Sequence, residues 1–374
     1  MTAAETSPFS PAAAPAATLG AAPFRIEDLY QLSSRLHLRP TPQGLLVEGP
    51  LGGLGLLLAN SSRLRLVLAF LAPVRPAELL ASLDADRRPA VLRFFEHCHR
   101  LGLLTRRIAG QAEEAQGPLA HWEPHDLFFH LRSRRGRHGA PVGATFHLAG
   151  VVPPEAASKP AAGPRIPLPR SRRHPDPDPT LTQALEARRS RYGTEPLGLD
   201  QLGEFLYRTC RVTGESRVDG ERFLQKLYPS GGSLHSLEVY VVPARCGGLE
   251  RGVYRYLGLE HALSKAGDPG PELELLLEEA RQGTGGSLSE IPSVLLVVTA
   301  RFRRVMRKYQ SLAYSLILKE VGALLQTMYL VATAMDLAPC AIGTGDSDRF
   351  ARAAGLDYYC ETSVGELILG GTAR

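Results

Sequence analysis

Lys308 and Tyr309 stand side by side ahead of a long apolar stretch. A cation beside a phenol favours the phenolate, and a phenolate accepts protons. An amphipathic helix face would use the same two residues without chemistry, with Tyr309 inside and Lys308 in water. A second cluster, Arg188-Arg189-Ser190-Arg191, closes a helical pattern. Its guanidinium forks and hydroxyl suit a phosphate group, and they equally suit a charged helix end. A third, Tyr228-Pro229-Ser230-Gly231-Gly232-Ser233, precedes an apolar run. Its glycines let a flat or anionic ligand approach the backbone N–H groups, or they make a tight turn. The fourth, Pro339-Cys340-Ala341-Ile342-Gly343-Thr344-Gly345-Asp346, reads as a strand running into a glycine loop.

Other groups carry less. Asp346 and Asp348 fit a turn whose acids accept from backbone donors better than they fit a metal. In His97-Cys98-His99, neighbours on a helix point apart, which argues against a metal there. The chain has no G-x-S-x-G elbow, no Walker A pattern and no strand-linked G-x-G-x-x-G. Gly283-Thr284-Gly285-Gly286 opens no helix.

The elements that must position these residues fall into three stretches after an Ala/Pro-rich tail over 1–24. Over 25–110, Leu45–Val47 reads as a strand, Pro50–Gly53 as a turn and Pro76–Leu83 as a helix. A longer helix begins at Pro89, with Val91, Leu92, Phe95, Cys98 and Leu101 at helical spacing and Gly102 as its stop. Short helices followed by a hairpin predict a small winged-helix-like module, a type that binds DNA or peptides or serves as an appendage. A connecting segment, 111–180, ends in the proline-dense run Val151–Thr180. No regular element is expected there, only an extended linker or surface strap, with Arg170, Arg172 and Arg173 solvated. Over 181–374 the spacing predicts helices at Leu181–Arg189 and Leu199–Arg208, and strands at Leu237–Val242, Val294–Thr299 and Thr362–Leu369. It also predicts one long helix between Arg304 and Leu337, striped by Leu312, Leu316, Leu324, Met328 and Val331. Mixed helices and strands predict an α+β layer fold.

Composition bounds the reading. The 374 residues suit two to three domains. Hydrophobic residues are 44% and charged residues 22%, as in ordinary globular chains. The net charge of +5 sits in local runs and does not by itself mark a nucleic-acid binder. Five scattered cysteines without a C-x-x-C pair argue against a disulfide scaffold or zinc site and for reduced thiols in the cytoplasm. The N-terminus lacks the basic and apolar regions of a secretory signal. The apolar run Val321–Met335 is shorter than a membrane span needs, so a buried helix is expected and no membrane partner.

In their order along the chain, these segments resemble the SagB-type dehydrogenases, azoline oxidases among the nitroreductase-like FMN flavoproteins. The likeness is carried by EARRS (186–190), YPSGGSLHSLEVYVV (228–242), RKYQSLAYSLILKEVGALLQTMYLVA (307–332), CAIGTGDSDRFARAAGLD (340–357) and ETSVGELILGG (361–371). HWEPHDLFFHLRSRRGRHGAPVG (121–143) looks like the segment before the catalytic domain of this branch.

The resemblance implies an α+β nitroreductase sandwich over 181–374, homodimeric, with FMN at the subunit interface. It implies flavin contacts by Arg188, Arg189 and Ser190, by Pro229, Ser230, Gly231 and Gly232 along the ring, by Gly343 and Gly345 near its reactive edge, and by Gln326 in the long helix. The segment after Ser190 is about two residues short of the family's pattern, and Arg191 is the candidate replacement for a missing arginine. Lys308 and Tyr309 match the pair used in azoline oxidation. Tyr309 is then the base for the Cα proton, hydride passes to flavin, and Lys308 stabilises the phenolate. The implied partners are a modified precursor peptide and a cyclodehydratase. Three readings compete: an NAD(P)H-dependent nitroreductase or flavin reductase, a non-catalytic scaffold of a peptide-modifying complex, and a winged-helix DNA-binding regulator.

Overall fold

The computed structural model describes residues 23–51, 55–161, 163–169, 177–218 and 220–372. Nearly all of the tail, part of the Pro50–Gly53 turn and the Arg170, Arg172, Arg173 cluster lie outside the described residues. The chain divides into two units, 1–143 and 144–374, and the division falls inside the expected connecting segment.

The first unit holds strands β1 (Tyr30–Leu32), β2 (His37–Thr41), β3 (Gly44–Glu48) and β4 (Leu56–Leu58), then helices α1 (Ser61–Leu68), α2 (Pro76–Ala81) and α3 (Arg88–Arg100). Strands β5 (Leu104–Ile108) and β6 (Gln111–Ala112) and helix α4 (Pro124–Arg132) complete it. The sheets are β1-β5-β6 and β2-β3-β4. Phe70, Phe95, Cys98 and Leu103 close their core with Tyr30 and Val47. Gly102 stops α3 as expected: at φ 72° it lets Leu103 N–H reach the Cys98 carbonyl at 2.9 Å, the left-handed ending that favours glycine. Cys98 is buried within α3, and burial pushes its thiol up to about 12.

The second unit is built on one antiparallel sheet. Its elements are β7 (Arg165–Pro167), α5 (Leu181–Ala187), α6 (Leu199–Cys210), the hairpin β8 (Val212–Val218) and β9 (Glu221–Lys226), β10 (Leu237–Pro243), β11 (Val253–Leu257) and β12 (Ala262–Gly267). After them come α7 (Pro271–Gln282), β13 (Val294–Arg301), α8 (Phe302–Met306), α9 (Ala313–Ala334), β14 (Ala338–Ile342), α10 (Ser347–Ala353) and β15 (Glu361–Gly370). The sheet order is β14-β15-β13-β10-β11-β12-β7. Successive strand residues face opposite sides. Val294, Leu296, Val298 and Ala300 of β13 therefore pack with Phe205 of α6 and with Ile317, Val321, Leu324 and Met328 of α9. Leu295 and Val297 pack on the other side with Leu273 and Leu277 of α7 and Phe350 of α10. Two helical layers thus sandwich one sheet, the α+β architecture expected.

The structure corrects two element boundaries. The single helix expected between Arg304 and Leu337 is broken: α8 stops at Met306, Ser311 takes φ 66°, and α9 starts at Ala313. Lys308 and Tyr309 consequently lie in the break, not on a helix. The apolar stripe continues through the break, which hides it from periodicity. The proline-dense run, expected to contain no regular element, supplies β7, paired to β12 through Arg165↔Ser264, Ile166↔Leu263 and Pro167↔Ala262. An edge strand accepts proline because one side of it needs no ladder donor.

By length and composition α9 could cross a membrane, but its apolar stripe forms the middle of the core facing the sheet.

Before β7 the chain runs as a strap held by its own carbonyls. Arg307 donates to Val152 O (3.0 Å), Arg304 to Glu155 O (2.9 Å), Arg301 to Ala156 O (2.8 Å), and Arg255 to Lys159 O (3.0 Å) and Pro160 O. Lys159 closes the row with an ion pair to Glu361 at 2.6 Å. Arg255, Arg301 and Arg304 are buried, so these bonds satisfy donors that water cannot reach.

Candidate functional site

One corner of the second unit is built by the turn after β9 and the break between α8 and α9. Gly232 sits at φ 62°. A β-carbon there would stand 2.5 Å from the Tyr309 hydroxyl and 2.9 Å from Lys308 Nζ, so only glycine admits both polar ends at that point. A β-carbon on Gly231 would already touch Leu316 of α9 at 3.2 Å. Lys308 Nζ lies 5.3 Å from the centroid of the Tyr309 ring. The structure thus brings Gly231, Gly232, Lys308 and Tyr309 together, with Pro229 and Ser230 on the same turn.

A buried polar layer supports this turn. Ser230 Oγ accepts from His235 N–H at 2.9 Å, and Ser236 Oγ donates to Glu320 of α9 at 3.1 Å. Ser233 and His235 also have positive φ, 56° and 45°, so the backbone is strained over a short span. Burial raises the Glu320 carboxyl above the usual range. Burial, with the charges of Lys226 and Arg304, lowers His235 to about 4. The two side chains approach to 3.9 Å, too far for a hydrogen bond. With its imidazole held at about 4, His235 is neutral at neutral pH, so the two do not form an ion pair there. His235 Nδ1 and Glu320 Oε1 are buried without a hydrogen-bond partner.

The arginine cluster forms a second group. Helix α5 is capped by Thr180 and Gln183 and ends at Ala187, so Arg188 leaves the helix at its cap instead of continuing it to Arg189. Ser190 Oγ lies 3.0 Å from the Tyr329 hydroxyl, which accepts from Ala341 N–H at 2.7 Å. The Arg188 guanidinium lies 5.4 Å from the Tyr329 ring centroid. Arg189 turns back to the carbonyls of Glu186 and Arg188. Arg191 pairs with Asp336 at 2.8 Å, and its N–H bonds Pro339 O. Through Tyr329 the arginine segment therefore meets β14, which leads directly to Gly343 and Gly345.

At Gly343 a β-carbon would meet nothing within 4 Å, whereas at Gly345 it would stand 2.2 Å from the Glu366 carboxyl. Burial raises Glu366. Asp346 caps α10 by accepting from Arg349 N–H at 2.8 Å, and Asp348 pairs with Arg352. Asp346 thus has the role expected of it, while Asp348 is met by a side-chain cation and not by a backbone donor. Among the described residues no three metal-type ligands cluster.

Gln326 lies exposed on α9, one turn before Tyr329 and apart from the Gly232 turn. The two groups sit at opposite ends of α9. Leu316 marks one and Tyr329 the other, thirteen residues or about 20 Å apart along the axis. Sequence reasoning missed Tyr329, Glu320 and His235. The available signals were a phenol and a carboxyl within the otherwise apolar helix pattern.

A model described as the nitroreductase family matches residues 185–370. One described as cyanobactin oxidase ThcOx matches residues 30–139. A Methanocaldococcus jannaschii protein bearing the name nitroreductase is 30% identical over 165 residues, covering 44% of this chain and 78% of that protein. The chain belongs to the nitroreductase family, an oxidoreductase family. The resemblance read from the motifs is borne out by this pair of matches, one on each unit.

Among solved structures, an Anabaena variabilis protein named as a nitroreductase has a TM-score of 0.47 at 21% identity; the match covers 64% of this chain and 45% of that one. The Escherichia coli microcin synthetase McbBCD complex with truncated pro-MccB17 bound gives 0.41 at 20%, over 63% of this chain and 83% of that one. A Desulfovibrio desulfuricans protein named as a nitroreductase in complex with FMN gives 0.33 at 17%, over 53% and 89%.

Proposed function

We propose that the protein is an FMN-dependent dehydrogenase that oxidises azoline rings, thiazoline or oxazoline, in a modified precursor peptide to the aromatic azoles. The convergence of Lys308 Nζ and the Tyr309 hydroxyl on the open face of Gly232 carries this reading. Aromatising an azoline removes one proton from Cα and one hydride from the adjacent ring carbon. Tyr309 takes the proton at its phenolic oxygen, and the Lys308 ammonium beside the ring stabilises the phenolate. FMN, when bound, supplies the two-electron acceptor.

Arg188, Arg189, Ser190 and Arg191 fit an anionic group as exposed or half-exposed donors, and Gly343 leaves the space a flat ring needs. With Gly345 and Gln326 they are the residues of one copy that would hold FMN. Pro229, Ser230, Gly231 and Gly232 would come from the other copy, because the two groups stand a helix length apart in one chain. A homodimer completes the site. The first unit docks the precursor peptide or a cyclodehydratase partner, a role its match to a cyanobactin oxidase model favours, and the protein works in the cytoplasm.

The test is direct. Full-length protein loaded with FMN is given an azoline-containing peptide, and mass spectrometry reads the loss of two hydrogens per ring. NADPH consumption without that loss would instead favour the nitroreductase reading, which the Methanocaldococcus relative's name supports. A colourless protein that takes up no FMN would favour the scaffold.

A further inference from the structure

We propose that Phe146 is an aromatic wall of the Lys308–Tyr309 corner, holding the Lys308 ammonium and meeting the flat ring of the peptide substrate. It rests on the reading above and adds a specificity-determining residue to it, from the strap and not from the motif-bearing segments.

Four observations place it. The Phe146 ring centroid is 5.8 Å from Lys308 Nζ, and the Tyr309 centroid is 5.3 Å from the same atom. Both distances are within cation–π range, so the ammonium has two aromatic neighbours. Phe146 N–H donates to the carbonyl of Lys308 itself at 3.0 Å, and the preceding Thr145 Oγ1 donates to Gln310 at 3.0 Å. The wall is therefore tied by its backbone to the break that carries the pair. Phe146 adopts φ 54°, a conformation rare for a bulky side chain, and such strain concentrates at functional sites. Half of the residue remains exposed (50%) although it is fixed on both sides, upstream by Thr145 and downstream by the arginine-held strap. A single exposed phenylalanine is unremarkable. One held in a left-handed turn, with its ring near a candidate catalytic cation and part of its surface open, presents an aromatic surface to a ligand. An azoline, planar and apolar on its faces, is a ring that surface can pack against.

The experiment uses the full chain and two kinds of variant. Phe146→Leu removes the π face at similar volume, and Phe146→Trp enlarges it. First, without substrate, the lysines are reductively methylated with a ¹³C label, which keeps their charge, and the Lys308 signal is assigned by its loss in Lys308→Arg. It should move toward the free-lysine position in Phe146→Leu and away from it in Phe146→Trp. Second, with FMN and an azoline peptide, Phe146→Leu should raise KM roughly tenfold with kcat within about twofold (a change of about 1.4 kcal/mol in binding), and Phe146→Trp should hold or lower KM.

An unmoved methyl signal in both variants overturns the contact with Lys308, and an unchanged KM in Phe146→Leu overturns the contact with substrate. If the wild-type protein binds FMN but oxidises no azoline peptide, the functional reading and the substrate contact both fall, and the methyl signal alone still decides the Phe146–Lys308 contact.

Discussion

The two ends of α9 are held in different ways. At its C-terminal end, Ser190, Tyr329 and Ala341 N–H satisfy one another, Arg191 pairs with Asp336, and neighbouring donors stand in water. Asp336 there takes positive φ (49°), but as the left-handed stop of α9, with Leu337 N–H bonded to Ala332 O at 2.8 Å. At its N-terminal end, Gly232, Ser233, His235 and Ser311 have positive φ, and one oxygen of a buried carboxyl and one nitrogen of a buried imidazole lack hydrogen-bond partners. Polar groups that satisfy one another in relaxed geometry suit a surface that binds. Strain and unpaired buried groups mark a place where the fold tolerates a local cost to fix two side chains. On the proposed reading, the C-terminal end only binds, and the N-terminal end adds the proton chemistry to its flavin contacts.

The sharpest way to break that division is Tyr309→Phe. It should lower azoline oxidation by about 10²–10⁴ while FMN uptake, read by visible absorbance, stays as in the wild type. Loss of flavin with activity per bound flavin retained would reverse the assignment. Gly232→Ala comes next. Its β-carbon would collide with Tyr309 and Lys308 in a left-handed conformation, so kcat should fall at least tenfold.

His235 tests the strained end through stability. Its folded pKa of about 4 lies below its unfolded value of about 6.5. The unfolded state therefore binds more protons between these values, and folding stability should fall as pH drops from about 6.5 to about 4, by about 2–3 kcal/mol. Denaturant midpoints across that range should fall less in His235→Asn. Equal slopes in the two proteins would mean that His235 is not held neutral.

The smallest effect is expected at the relaxed end. Tyr329→Phe removes the acceptor for Ala341 N–H and should cost about 1 kcal/mol of stability, with a weaker FMN titration and little change in kcat per bound flavin.

Much of this was legible in the residues. Alternation along Leu237–Val242 and the wholly apolar Val294–Val298 gave the sheet, and the glycines of 229–233 and 343–345 marked the turns that carry the candidate site. The break at 307–312 was not legible, because hydrophobic spacing runs through it and a single left-handed serine carries no composition signal. The edge strand at Arg165–Pro167 was hidden by its prolines, whose cost vanishes at a sheet edge. The partition of the site between two ends of one helix could not be read from motif order, which carries no distances.

The strap has a consequence of its own. Its path is fixed by arginines that grip main-chain oxygens, and every residue type offers the same oxygen. Substitutions in the strap can therefore accumulate at little cost while the arginines of the sheet and α8 cannot drift. Thr145, Phe146, Glu155 and Lys159, which act through their side chains, are exceptions. Related chains should keep the guanidinium row long after the wording of the segment it holds has become unrecognisable.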